Sequence, residues 1–430
     1  RVPSRAGAMS LARGSAWLTA GLAAAGFVAA ASLLVPWDWV PGGSLRPAEA
    51  HEVLTSAQIV RAEEYSAVRR YLGWSSYGVS LLVAVGLGFT SAGASLVRRT
   101  TSRLPWWAAV AVAVLLVLLV GRAATIGFGA AIRRQDLAFG LTEQSWAGWA
   151  LDQVRSLGVS WVTIALVVVM VVAVARRYPR RWFLGGGAIA AGLVVAGSFL
   201  YPVLVEPVFN RFEPLRDEPL RESVLDLAER QGVEVDQVLV ADASRRTTTL
   251  NAYVSGFGST RRVVLYDNLV RDLDRSHARA VVAHELAHAA NRDVLLGTGL
   301  GALAAVLGVA LLALVIDAPA VRRRADVDGP GDPAVVPLAL ALAAVATLVA
   351  SPVQSTISRA VEVRADRGSL AATRDPEAFV DMQRELALAS LADPTPPVWS
   401  QLWFGSHPTL LQRAGLPSSL ADARGGGEAP

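Results

Sequence analysis

The chain has 430 residues, of which 53% are hydrophobic and 18% are charged. Soluble domains are about a quarter charged, so this composition excludes a wholly soluble protein as well as a disordered one. Cysteine is absent, which excludes disulfide bonds and leaves histidine and carboxylate side chains as ligands for any transition metal. The formal charge is +4, but the arginines lie in short runs between apolar stretches, so nucleic acid is not expected as a partner.

Seven stretches of the chain contain no charged residue and are long enough to cross a membrane. About 20 helical residues span a hydrocarbon core of about 30 Å, so each stretch predicts a membrane helix. The first stretch also fits a signal peptide, but its length and its Pro36-Trp37 end favour a span. The seven predicted spans are residues 14–37, 71–97, 104–121, 156–175, 182–205, 294–316 and 333–358.

These spans predict a mainly α-helical integral membrane protein in four parts. A five-helix membrane region covers 1–205, and a polar part covers 206–293. Spans six and seven lie in 294–358, and a second polar part covers 359–430.

Local patterns predict the elements of the two polar parts. Apolar spacing and end signals indicate helices, and short apolar runs bounded by turn residues indicate strands. Residues Gly256-Phe257-Gly258 are expected to join the last two strands, and 420–430 are expected to form a loose tail. The predicted helices are 219–230, 276–290 and 376–391, and the predicted strands are 238–241, 250–254 and 262–266.

The clearest motif is His284-Glu285-Leu286-Ala287-His288, in the helix that precedes the sixth span. Positions i and i+4 share one face of a helix, so both imidazoles can bind one metal ion. Glu285 lies beside that position and suits a base that takes a proton from a water molecule at the metal. The spacing therefore indicates one zinc ion per chain, with two histidines on an ordinary amphipathic helix as the alternative.

A catalytic zinc ion usually has a third protein ligand, for which Glu362 is the best candidate. Glu362 lies just after the seventh span, and the two histidines lie just before the sixth, so antiparallel spans bring these segments to one membrane face. Asp366, one turn further on, suits an acceptor that orients a ligand histidine. Together with Arg359, these residues equally fit a solvated helix face with paired charges.

In this order, the motifs resemble the type I CAAX prenyl endopeptidases, a family of membrane-embedded zinc proteases. The resemblance covers nearly the whole chain: five spans, a polar part with the histidine motif, two more spans, and a polar end. It rests on Asn251-Ala252-Tyr253, His284-Glu285-x-x-His288, Ser358-Arg359-x-x-Glu362-x-x-x-Asp366, and His407-Pro408 with Arg413.

The resemblance implies a fold and a set of roles. Seven helices would enclose a chamber, next to a gluzincin-type protease part that contains a small β-sheet. An edge strand at Asn251, Ala252 and Tyr253 would pair with an extended peptide. The implied metal ligands are His284, His288 and Glu362; the implied catalytic residues are Glu285, His407 and Arg413; the implied supporting residues are Asp366 and Arg359.

Composition narrows the expected setting and substrates. The absence of lysine, with abundant Ala and Val, is typical of a GC-rich bacterial genome, and bacteria generally lack protein prenylation. We therefore expect a multi-pass protein of a bacterial cell membrane, embedded in lipid, that cleaves peptides or membrane proteins in processing or quality control.

Two alternatives to an enzyme use the same residues. A seven-helix transporter or receptor would hold zinc structurally, and a peptide sensor would bind peptides without cutting them. The orientation in the membrane is also open. The segments on the N-terminal side of the membrane carry 13 arginines, and the short loops on the opposite side carry eight. Because arginines accumulate on the cytoplasmic side, these counts place the part with the histidine motif outside the cell. The family resemblance implies the cytosolic side instead.

Overall fold

The computed structural model describes residues 5–256 and 261–425. Its helices before the first strand are α1 Arg5–Leu34, α2 Ala50–Val53, α3 Ser56–Gly88, α4 Ser91–Thr101, α5 Trp106–Ala138, α6 Trp146–Arg177, α7 Trp182–Leu204 and α8 Glu206–Phe209. The remaining helices are α9 Glu218–Arg230, α10 Asp267–Asp272, α11 Arg275–Ala290, α12 Asp293–Ile316, α13 Pro319–Ala325, α14 Val336–Thr373, α15 Pro376–Ser390, α16 Val398–Phe404, α17 Leu410–Ala414 and α18 Leu416–Gly425. The strands are β1 Phe212–Pro214, β2 Gln237–Ala241, β3 Ala252–Ser255 and β4 Arg262–Tyr266.

Seven of the described helices are long and apolar enough to cross a membrane, which confirms the predicted number of spans. They are α1, α3, α5, α6, α7, α12 and α14. The chain is therefore a multi-pass membrane protein. Because successive spans alternate in direction, the arginine-rich ends near Arg98, Arg176 and Arg322 lie at the face opposite the start of α12.

The spans form a closed ring. Helix α12 packs on α7, and contacts continue through α6, α5, α3 and α14 back to α12, while α1 packs along α12. Protein contacts bury only 6% of the apolar stretch of α3 and 11% of that of α6. Most residues of these two spans are therefore exposed, either to the lipid side or to the inside of the ring.

Most predicted spans differ from the structure at their ends, and two of these differences have a clear physical reason. The charge-free stretch 71–97 is broken at Phe89-Thr90, where α3 ends and α4 begins. A Cβ atom on Gly88 would lie 2.4 Å from that of Ala341, so the glycine allows α3 to end against α14. The third span continues past Arg122 to Ala138, because a helix with satisfied backbone groups tolerates charges where its end leaves the hydrocarbon.

The polar parts form one folded unit around a four-stranded mixed sheet. The strand order is β1-β2-β4-β3, with β2 parallel to β4 and the other two pairs antiparallel. Helices α9, α11 and α15 cover the sheet through apolar residues such as Leu227, Leu265, Leu286 and Phe379. The strands β2 and β4 agree with the prediction, whereas β1 was missed because three residues carry no readable alternation.

Caps fix the helices of this unit where the sequence indicates them. Asp217 accepts a hydrogen bond from the backbone of Leu220 at the start of α9, and Gly232, with φ of 66°, follows its end. Asp375 caps α15 in the same way.

The expected glycine turn at 256–258 lies largely outside the described residues, since only Gly256 of it is described. The loose tail expected at 420–430 is wrong for 420–425, which belong to α18. Leu420 and Ala423 of that helix pack against the buried Val40, Val363 and Leu416, so apolar burial orders it.

Candidate metal centre

Helix α11 presents the histidine motif from inside the folded unit. Ala280, Val282, Ala283 and Leu286 are fully buried against the sheet, α9 and α15, so only one side of the helix remains free. Glu285 and His288 lie half-buried on that free side, and His284 is buried beside them. Packing of the small and apolar residues therefore fixes the direction of all three functional side chains.

The structure brings Glu362 of α14 to the two histidines of α11. The Nε2 atoms of His284 and His288 are 3.1 Å apart. The carboxylate of Glu362 lies 3.2 Å from Nε2 of His284 and 3.6 Å from Nε2 of His288. A tetrahedral ion with ligands at about 2.0–2.1 Å separates its ligand atoms by about 3.3 Å, so these three residues fit one such ion.

A further carboxylate contacts each histidine at Nδ1, the ring nitrogen that faces away from the shared position. Oδ1 of Asp366 lies 2.9 Å from Nδ1 of His284, and Oδ2 of Asp293 lies 2.8 Å from Nδ1 of His288. In both rings this leaves Nε2 directed at the shared position, which is how outer carboxylates orient histidine ligands. Sequence analysis proposed Asp366 but missed Asp293, whose only signal is its place at the start of a span, five residues after His288.

Arginines in turn hold these outer carboxylates. Arg413 donates two hydrogen bonds to the fully buried Asp366, at 2.9 and 2.5 Å, so its guanidinium lies behind His284. Arg364 donates a single hydrogen bond, from Nη2, to Oδ1 of Asp293. The ligand set is therefore embedded in alternating charges, which keeps the buried carboxylates ionised and fixed.

His407 and Arg359 lie on the other side of Glu362. Nε2 of His407 is 3.3 Å from Oε2 of Glu362, and the His407 side chain is more than half exposed. Arg359 contacts neither histidine of the motif; it donates to the carbonyl oxygens of Gln401 and Gly405, at 2.8 and 2.7 Å. Arg359 thus anchors the segment that carries His407.

The electrostatics of the centre favour a cation. Burial opposes protonation of His284, but the adjacent Asp366 and Glu362 outweigh burial and raise the pKa of His284 to about 10. Burial raises the pKa of the Glu285 carboxyl above its ordinary value, although the two histidines oppose that change. The centre therefore attracts positive charge, and it contains a carboxyl that accepts a proton more readily than an exposed one.

Within residues 5–256 and 261–425, strand β3 lies at an unpaired edge of the sheet, beside the candidate metal position. The backbone N–H of Tyr266 donates to the carbonyl of Asn251 at 2.9 Å. Antiparallel pairing alternates, so the backbone groups of Ala252 and Val254 face away from β4 toward the free edge. The side chain of Asn251 is exposed, and the hydroxyl of Tyr253 donates to Glu206 at 2.9 Å.

A cavity of about 570 Å³ runs along this edge. Tyr253 and Val254 line one side, Glu285 and His288 line the floor, and Phe199 and Leu295 of the spans line the rest. Arg292 also lines it and has a φ of 58°, unusual for a residue other than glycine. That left-handed residue turns the chain from α11 into α12, and sequence analysis did not single it out.

Comparison with protein families gives two adjacent matches. Residues 214–415 match the model of peptidase family M48. Residues 135–211 match the model of the CAAX prenyl protease N-terminal region with five membrane helices. The two matches follow one another along the chain and together include α11, α14 and the sheet.

Individual relatives agree with these matches. The chain is 28% identical to the uncharacterized metalloprotease YhfN of Bacillus subtilis over 382 residues, which are 85% of this chain and 87% of that relative. It is 29% identical to CAAX prenyl protease 1 of Saccharomyces cerevisiae over 35% of this chain, and spans only a third of that relative's length. The crystal structure of Ste24p from S. mikatae has the same fold, with a TM-score of 0.73, 19% identity, and coverage of 93% of this chain and 98% of that chain.

The histidine and glutamate cluster, the seven-span ring and the family matches agree with one another. The chain is a multi-pass membrane metalloendopeptidase that is similar to peptidase family M48 over residues 214–415 and resembles the CAAX prenyl proteases.

Proposed function

We propose that this protein is a zinc-dependent endopeptidase that cleaves peptide segments at the membrane face where α12 begins. Zinc would be held by His284, His288 and Glu362. The single observation that carries the proposal is the convergence of three ligand groups. The two Nε2 atoms lie 3.1 Å apart, Oε2 of Glu362 lies 3.2 Å from Nε2 of His284, and Oε1 lies 3.6 Å from Nε2 of His288, close to the distance of about 3.3 Å between ligand atoms of a tetrahedral ion. The two imidazoles favour zinc over Mg²⁺ or Ca²⁺, which prefer oxygen ligands.

When bound, zinc would polarise the scissile carbonyl and lower the pKa of water to about 7. Glu285 is the general base in this proposal. It accepts a proton from the attacking water and delivers that proton to the amine that leaves. Its raised pKa supports both transfers, because a base with a pKa closer to neutrality also acts as the better acid afterwards.

His407 would stabilise the negative charge that develops on the carbonyl oxygen. Its Nε2 lies beside Glu362, at the edge of the proposed ligand set, and its side chain is more than half exposed. Arg413 would act through Asp366, since both of its hydrogen bonds go to that carboxylate, and would add positive charge behind the centre. Arg359 would keep His407 in reach by holding the preceding backbone.

Substrates would bind as an extra strand on β3. The free backbone groups of Ala252 and Val254 recognise an extended peptide without reading its side chains, and Asn251 adds one amide donor and one acceptor. Because Phe199 and Leu295 of the spans share the cavity wall, apolar side chains next to a membrane are accommodated best. We therefore propose peptides and membrane-protein segments as the substrate class, in processing or quality control.

Hydrolysis of an internally quenched apolar peptide by the purified protein in detergent tests this proposal. Chelation should abolish cleavage, and zinc should restore it at a stoichiometry of one ion per chain. A transporter, a receptor or a peptide sensor with structural zinc would bind the metal but cleave no peptide. Cleavage that continues at the same rate in the metal-free protein would contradict the proposal.

A further inference from the structure

A second polar cavity, of about 430 Å³, shares no lining residue with the metal centre. It lies where three spans end on the face of the folded unit: the last turns of α5, the first half of α3 and the first turn of α6. The segment that leads into β3 closes it from the other side. Three arginines and one aspartate supply its charges: Arg69, Arg133, Arg246 and Asp136.

Arg133 is the unusual member of this cavity because it is 4% exposed and only partly bonded. Its Nη1 donates to the hydroxyl of Thr142 at 2.7 Å. Its Nε and Nη2 have no hydrogen-bond partner within the described part of the chain. A guanidinium stays charged at all relevant pH and carries five N–H donors, and buried charges in folded proteins are nearly always paired.

Asp136 and Thr142, which line the same cavity, already make other hydrogen bonds. Oδ1 of Asp136 accepts from Tyr65 at 2.7 Å and from Arg69 at 3.0 Å. The Thr142 hydroxyl, besides accepting from Arg133, donates to the carbonyl of Arg246 at 2.6 Å.

Arg246 is itself neutralised from outside the cavity. Its Nε donates to Asp152 at 2.9 Å and its Nη1 to Asn210 at 2.6 Å. Arg69 is paired to Asp136, so Arg133 is the cavity arginine that has no carboxylate within 4 Å in the described part of the chain.

The missing partner is an anion with at least two acceptor oxygens. The planar fork of a guanidinium matches phosphate and carboxylate groups through two parallel hydrogen bonds. The cavity is far larger than the about 30 Å³ that a water molecule occupies, so a whole headgroup fits. The position of the cavity in the membrane indicates where the anion comes from. Tyr65 and Trp149 line the cavity at the ends of spans, where aromatic residues mark the headgroup region.

We propose that Arg133 binds the phosphate of an anionic phospholipid headgroup at the end of α5. Free phosphate would satisfy the same two donors, but phospholipid is the phosphate present at this depth of a membrane protein. The bound headgroup would tie α3, α5 and α6 to the segment before β3 on one shared anion.

Thermal unfolding of the purified protein in detergent, with phosphatidylglycerol or phosphatidylcholine added, tests this proposal. A ligand that binds only the folded state raises Tm. Phosphatidylglycerol should raise Tm by several degrees in the parent protein and in Arg134→Gln, and should leave Arg133→Gln unchanged. Arg134 is the matched control because it is the exposed neighbour on the same helix turn and loses the same charge.

Native mass spectrometry of the same samples should count one retained phosphatidylglycerol, lost in Arg133→Gln. If Arg133→Gln does not fold, Arg133→Lys keeps the charge without the fork and should need about ten-fold more phosphatidylglycerol for the same gain. An equal gain in parent and Arg133 variants would overturn the site. An equal gain from inorganic phosphate alone would overturn the assignment to lipid.

Discussion

Two carboxylates at the metal centre act on the side of each histidine that faces away from the ligand position. Asp366 contacts Nδ1 of His284, and Asp293 contacts Nδ1 of His288. Each carboxylate lies on the Nδ1 side of its ring, an arrangement that directs Nε2 toward the candidate metal position. The chemistry of the centre therefore depends on residues that would never touch the metal.

Asp366→Asn tests this dependence at the scale of one residue. The amide keeps the size of the side chain but loses its charge, so zinc affinity and peptide cleavage should each fall by about 10- to 100-fold. Asp226→Asn on the exposed face of α9, which breaks only the pair with Arg230, is the control and should change neither quantity. Zinc competition with a fluorescent chelator measures the affinity. Equal zinc affinity in both variants would refute the positioning role.

Spacing along the chain indicates His284, Glu285 and His288 because one helix holds all three. Glu362 follows only after antiparallel packing of the last two spans is assumed, since 74 residues separate it from His288. Asp293 and Arg364 carry no signal of their own, because their roles arise from the left-handed turn at Arg292 and from α14 passing beside it. Residue patterns thus give the contacts within a helix, whereas contacts between helices require the fold.

At the scale of elements, the approach of α14 to α11 sets the geometry of the centre. A Cβ atom on Gly368 would lie 2.5 Å from the Cβ of Ala287, which lies between the motif's glutamate and its second histidine. The absence of a side chain at Gly368 therefore lets Glu362 of the same helix approach both rings.

Gly368→Ala should push these helices apart. Overpacking of this kind costs about 1–3 kcal/mol, so we expect a lower Tm and cleavage reduced at least ten-fold. Gly308→Ala in α12 is the matched control, since no atom lies within 4 Å of its added Cβ, and alanine is the better helix former. Full activity of Gly368→Ala would show that the close approach is not required.

The free edge of β3 gives a second prediction at this scale. Val254→Pro removes a backbone N–H that faces the edge and breaks no bond to β4, so the sheet should persist. Peptide binding should weaken, with KM raised at least ten-fold, while Val254→Ala should behave like the parent protein. Peptide-cleavage kinetics together with an unchanged Tm would separate this loss from unfolding, and an unchanged KM would argue against strand addition.

Hydropathy predicts the number of spans because a helix that crosses lipid needs a long uninterrupted apolar stretch, which few helices of soluble proteins contain. The ends of the spans are less accessible, as α5 shows by carrying Arg122, Arg133 and Arg134 within one helix. A charged residue ends a membrane span only where neither water nor another protein group solvates the charge. The ring order α12-α7-α6-α5-α3-α14 is likewise absent from the pattern, because the charge-free stretches carry no polar face that would mark a neighbour.

At the scale of the whole molecule, a metal ion would link two parts that are far apart in sequence. His284 and His288 belong to the sheet-containing unit, whereas Glu362 belongs to the helix that closes the ring of spans. Chelation should therefore lower Tm by several degrees, because ions that bind only the folded state stabilise it by mass action. Zinc should restore Tm in the parent protein but not in Glu362→Ala, and a Tm independent of zinc in the parent would contradict the link.

The most direct test of the account is zinc content measured beside peptide cleavage in Glu285→Gln. This change keeps the shape of the side chain and all three ligands but removes the base. We predict one zinc ion per chain, as in the parent protein, with cleavage reduced by at least about 100-fold. A Glu285→Gln protein that binds zinc and cleaves the peptide at the parent rate would show that hydrolysis does not occur at this centre.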